Sequence, residues 1–101
     1  MDSYDLHIEL RDLRAILRQH RRLPSAIHYL CCEIEDTRVN LRRSRRLGPW
    51  ETCLLNAAFR CAISGYPLLG IAKVEMAIRI AEMRASGWMS EDHYVYWSTR
   101  A

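Results

Sequence analysis

The sharpest chemical signal in the sequence is a run of arginines, Arg42, Arg43, Arg45 and Arg46, with Arg38 one helical turn earlier. Guanidinium forks grip carboxylates and phosphates through paired N–H donors, so the run suits an acidic protein surface or a phosphate backbone. A structural alternative stands beside these: cations gather at a helix C-terminus because they complement its dipole. Two observations count against nucleic acid. The net charge is only +3, and residues 47–101 balance at five basic and five acidic side chains. A second basic stripe, Arg11, Arg14, Arg18 and Arg21 or Arg22, falls roughly 30 Å from the first at 1.5 Å per helical residue. Two separated basic ends do not form one groove, and no helix-turn-helix or zinc-finger pattern accompanies them.

The second signal is aromatic. Trp88, Tyr94, Tyr96 and Trp97 are four of nine aromatic residues and lie within ten positions. Trp and Tyr dominate the energetics of protein interfaces, so this stretch is a candidate contact surface. Its structural alternative is a C-terminal lid over a small core. The partner-binding candidates are therefore Arg38, Arg42, Arg43, Arg45, Arg46, Trp88, Tyr94, Tyr96 and Trp97.

Catalytic and metal chemistry find little to work with. His28 and Cys32 are four apart, as two ligands on one helix face would be, but His7, His20 and His93 are scattered and zinc needs at least three protein ligands. Cys31, Cys53 and Cys61 fall in apolar helical patterns, where a thiol is inert. Glycine-rich phosphate loops and the HExxH and GxSxG patterns are missing. The expectation is a non-enzymatic protein with no cofactor and no metal.

These side chains need elements to position them. Leu6, Leu10, Leu13 and Leu17 recur at spacings of four, three and four, which predicts a helix from about Asp2, capped by Asp2 or Ser3, to Arg22. Pro24 and Ser25 restart the chain into a second helix that ends near Arg46, before Gly48-Pro49. A third helix runs from Pro49 to about Ser64, its polar residues Thr52, Asn56, Arg60 and Ser64 spaced by four. A fourth covers about Leu68 to Ser86, with Gly87 as its left-handed cap and Trp88 folding back on Met83. Ser90 to Ala101 reads as a short helix or tail, although Tyr94-Val95-Tyr96-Trp97 is strand-like in composition.

Two pairings follow. With a turn at Leu23-Pro24, facing residues of the first two helices have numbers summing to about 47. That sets Asp2 against Arg45, Asp5 against Arg42, Glu9 against Arg38, Arg11 against Asp36 and Arg14 against Glu33, with Leu6 facing Leu41, Leu13 facing Ile34 and Leu17 facing Leu30, and Asp12 against Glu35 as the one bad match. A sum near 132 sets Leu54 against Ile78, Ala58 against Val74 and Ala62 against Gly70 in the next pair. The fold expected is all-α: one domain over residues 1–101, two αα-hairpins packed as a small bundle, with a short C-terminal helix or tail.

Composition bounds the rest. Half of the 101 residues are hydrophobic, about a quarter charged, and Gly and Pro are few, which favours a few long helices. No apolar run is long enough to cross a membrane, and the acidic start Met1-Asp2-Ser3-Tyr4-Asp5 is no signal peptide, so the expected location is the cytoplasm with reduced core cysteines. Fourteen Arg against one Lys suggests GC-rich coding, as in a bacterium or its phages. The wide dry faces of the third and fourth helices suit a homodimer. The functional expectation is a protein-binding module, a small regulator or inhibitor of a bacterial host complex encoded by a phage or mobile element. The alternative is a nucleic-acid-associated regulator acting through the Arg-rich helix end.

Overall fold

Three of the helices open on proline, whose fixed φ and missing N–H suit the first helical position. In the computed structural model, which describes residues 3–100, the chain forms α1 (Ser3–Gln19), α2 (Pro24–Arg43), α3 (Pro49–Ile63), α4 (Pro67–Ser86) and α5 (Glu91–Ser98). The start of α5 is fixed differently: Ser90 Oγ accepts the His93 backbone N–H at 3.1 Å, and Glu91 and Asp92 sit where the helix dipole favours acids. These signals outweigh the β propensity of Tyr94 to Trp97. The roles given to Asp2 or Ser3 as a cap, and the facing of Asp2 with Arg45, fall outside the described residues and side chains.

The architecture is an all-helical bundle with a short C-terminal helix. Each of the first three helices packs on the next, α4 closes back on α1 and α2, and α5 rests on α3. Leu6, Leu10, Leu13 and Leu17 are all buried, as their spacing requires, and join Leu30, Ile34, Leu55, Ile71, Val74 and Ile78 in a core that also takes in Tyr94 of α5. The closest packing is between α3 and α4. Small residues permit it: a Cβ placed on Gly70 would lie 3.0 Å from the Ala58 carbonyl oxygen and 3.6 Å from the Ala62 nitrogen, so the expected meeting of Ala62 with Gly70 holds. Among the described residues, no helix is long and apolar enough to cross a membrane.

The α1–α2 hairpin has a different register from the one expected. Helix α1 stops at Gln19, so the turn is centred between Arg21 and Arg22 and facing numbers sum to about 43. With that shift of about one helical turn, Arg14, Arg38 and Glu9 take partners other than those anticipated. Arg14 bonds Glu75 of α4 rather than Glu33, and His7 Nε2 lies 3.0 Å from Glu82 Oε1, also of α4. Arg38 turns to Glu35 and to Asn56 of α3, each at 3.2 Å, rather than to Glu9. Glu9 instead meets another acid, Glu33. The expected ion pairs are too weak to fix the register, because a rim ion pair is worth at most about 1 kcal/mol.

Helix α2 also ends early, at Arg43. Arg45 takes a left-handed conformation, φ 60°, and the Arg46 N–H reaches back to the Leu41 carbonyl at 2.7 Å. At the end of α4, Gly87 has φ 79° and the Trp88 N–H bonds the Met83 carbonyl at 3.0 Å, as expected. The Trp88 side chain does not fold back on Met83: it is 84% exposed. The cysteines are a further correction. All four are free thiols, but Cys32 and Cys53 are exposed and Cys31 and Cys61 half-buried, so none belongs to the fully buried core.

Candidate protein-binding surface

The last turn of α4, the α2–α3 connection and α5 converge on one guanidinium. Arg84 Nη1 donates to the Arg46 carbonyl at 3.2 Å and to Glu51 Oε1 and Oε2 at 3.1 and 3.2 Å. Its Nε lies 3.5 Å from Glu91 Oε1, and its carbon sits 3.7 Å from the centre of the Tyr94 ring. Glu51 is fully buried. It is tolerated because its oxygens are supplied with donors: the Tyr94 hydroxyl at 2.7 Å and the Gly48 N–H at 3.0 Å complete the set. The Tyr94 oxygen in turn accepts the Trp50 N–H at 3.3 Å, and the two rings lie 6.2 Å apart.

The electrostatics follow from this arrangement. Burial and the hydrogen bond to Glu51 push the Tyr94 hydroxyl up to about 12, so it stays protonated and donating. Burial works against the Arg84 charge, but Glu51 and the other neighbouring groups more than offset it and move its pKa up. The cluster is a fixed staple joining α3, α4 and α5. It was not legible in the sequence as a unit: Glu51 and Arg84 are 33 positions apart, and their only local signals were an acid in a first turn and a base in a last turn.

The staple decides what α5 shows to the outside. With Tyr94 held inward, Tyr96 and Trp97 are 49% and 46% exposed. Their rings meet edge to face at 5.2 Å, His93 stacks on Trp97 at 6.0 Å, and the Arg100 guanidinium covers Tyr96 at 4.0 Å. Trp88 stands free in the α4–α5 connection. Of the four aromatic candidates, Tyr94 is thus corrected from a contact residue to a core residue, and the other three lie at the surface.

The arginines divide in the same way. Arg42, Arg43 and Arg45 are exposed at the end of α2. Arg46 is half-buried, its backbone carbonyl bound by Arg84, and Arg38 is half-buried against Glu35 and Asn56. Because Arg84 ties the Arg46 backbone to α5, the arginine run and the aromatic helix occupy the same end of the bundle. The sequence treated them as separate candidates. The basic residues Arg18, Arg21 and Arg22 lie at the opposite end, about one α2 length away, roughly 30 Å.

Two other clusters complete the inventory. Cys32 Sγ and His28 Nε2 are 3.6 Å apart on the exposed side of α2, and among the described residues no three His, Cys, Asp or Glu side chains are placed to hold a metal ion. Between α1 and α2 lies a cleft of about 330 Å³ lined by Glu9, Asp12, Leu13, Ile16, Tyr29 and Glu33. Glu33 is 8% exposed, and burial, a hydrogen bond with Glu9 and the charges of Glu9 and Asp36 push its pKa up to about 8. The register shift creates this acid pair, which is why the charge pattern did not reveal it.

Compared with protein-family models, with curated proteins and with solved structures, the chain matches none of them.

Proposed function

We propose that the chain is a non-catalytic protein-binding module whose contact surface is the outer face of α5 together with Trp88 and the exposed arginines Arg42, Arg43 and Arg45. The observation that carries this reading is the half-exposure of Tyr96 and Trp97 on a helix whose inner side is locked by Tyr94. Rigid aromatic rings supply large contact area at small entropic cost, and flanking guanidinium groups favour an acidic partner surface. The Arg-for-Lys bias supports a bacterial or phage source, in which such a module acts in the cytoplasm as a small regulator or inhibitor by occupying a host complex. We further assign the exposed side of the α3–α4 hairpin, with Phe59, Ile63, Leu69 and Met76, to contact with a second copy of the chain.

Immobilised protein incubated with lysate of a GC-rich bacterium tests the reading at about 50 and about 200 mM salt, the range over which phosphate contacts weaken by orders of magnitude. The native chain is expected to retain the same partner protein at both salts, and a Tyr96→Ala, Trp97→Ala variant to lose it. If the retained material is nucleic acid, released by the higher salt and absent when Arg42, Arg43, Arg45 and Arg46 are reversed to Glu, the arginine-based alternative replaces it.

A further inference from the structure

The cleft between α1 and α2 combines features that neither the staple nor the α5 face uses. Glu33 lines it, and although this carboxyl shares a hydrogen bond with Glu9, its Oε2 is covered and meets no hydrogen-bond partner among the described residues. A buried acceptor without a donor is unfavourable, so a cation that reached it would satisfy what the fold leaves unmet. Glu9 and Asp12 stand on the α1 side of the same cleft. Leu13 is buried beneath it, and Ile16 and Tyr29 flank it with exposed apolar surface. At about 330 Å³ the cleft falls at the lower end of small-ligand sites, roughly 300–1,000 Å³.

We propose that this cleft binds an organic cation, an ammonium or guanidinium group on a short hydrocarbon stem. The head would sit against Glu33, Glu9 and Asp12, and the stem along Leu13 and Ile16. Carboxylates are acceptors only and match ammonium and guanidinium donors. The apolar walls suit a carbon stem, and the Tyr29 ring at the rim suits the cation's face. Burial first, then the hydrogen bond with Glu9 and the charges of Glu9 and Asp36, make Glu33 hold its proton; a bound cation would offset the repulsion among these acids. The site is independent of the α5 surface, so either can fail alone.

An NMR titration of the full chain at about pH 8.5, where Glu33 is largely ionised, tests the site. The ligands are n-butylguanidinium, n-butylammonium, neutral n-butanol and N-acetyl-arginine-N-methylamide. Saturable shifts of the Leu13, Tyr29 and Glu33 amides are expected with the cations and not with butanol. Glu33→Gln, its native fold confirmed by the remaining resonances, should bind at least about tenfold more weakly, and Glu9→Gln should weaken binding as well. Saturation by the free amines assigns the site to a small ligand, and saturation by the capped arginine alone assigns it to a partner's side chain. Equal response to butanol, a non-saturating response to every cation, or unchanged affinity in Glu33→Gln overturns the proposal.

Discussion

A carboxyl group with a covered, donorless oxygen and a second acid against it folds most readily with its proton on. Glu33 ionises near 4.5 when unconstrained and near 8 in the folded chain. The folded state then holds more protons than the unfolded state across that window, so this group's stability contribution is full below about 4.5 and falls as pH rises through about 8. Each pH unit inside the window removes up to about 1.4 kcal/mol. Glu33→Gln keeps the shape and deletes the titration. Urea unfolding at pH 4, 6 and 8 should find the variant little changed at pH 4 and more stable than the native chain at pH 8, by about 1 kcal/mol or more. Parallel pH profiles for the two proteins would show that Glu33 is not held protonated. This feature was illegible because it depends on which α2 residue faces Glu9, and the charge pattern pointed to Arg38. The leucine positions, by contrast, were legible one by one, since a repeat of three and four has only one apolar face to bury.

Between α2 and α3 the chain must pass so close to α5 that a side chain has no room. A Cβ at Gly48 would lie 1.9 Å from the Tyr94 hydroxyl oxygen and 2.8 Å from the ring carbon bearing it. Gly48 has φ −102°, which any residue adopts, so the constraint is steric and not one of backbone strain. Gly48→Ala should therefore cost about 1–3 kcal/mol by pushing Tyr94 off Glu51, and amide exchange in α5 should accelerate more than in α1. Tyr94→Phe alone should cost about 1–3 kcal/mol by taking the hydroxyl donor from Glu51. The double variant should lose less than the two costs together, because both act on the same hydroxyl. Additive losses, with α5 exchange unchanged, would mean that Gly48 does not hold α5 through Tyr94. The helices themselves were readable from proline, glycine and serine punctuation, which acts locally. The staple was not, because its members meet only after four helices have packed.

At the scale of the molecule, two kinds of surface compete for partners. The α5 end carries aromatic rings and arginines, whereas the α3–α4 hairpin carries Phe59, Ile63, Leu69 and Met76, all at least partly open to solvent. A stable dimer buries about 800 Å² on each copy. The molecule measures 41 × 27 × 18 Å, so its broad side has area enough for such a contact. Ile63 and Leu69 flank the turn between α3 and α4, the most closely packed pair of helices, so the contact would form on a rigid surface. Sedimentation at tens of micromolar, a range suited to an interface of micromolar affinity, should show a dimer. Its melting temperature should rise with concentration, because association stabilises only the folded chain. Ile63→Lys with Leu69→Lys should yield a monomer whose melting temperature no longer depends on concentration, while Tyr96→Ala with Trp97→Ala should leave the dimer intact. A native chain that sediments as a monomer at every concentration would free the hairpin face from this role. A dimer broken only by the aromatic substitutions would move self-association to α5, and the proposed partner would then have to displace a second copy before binding.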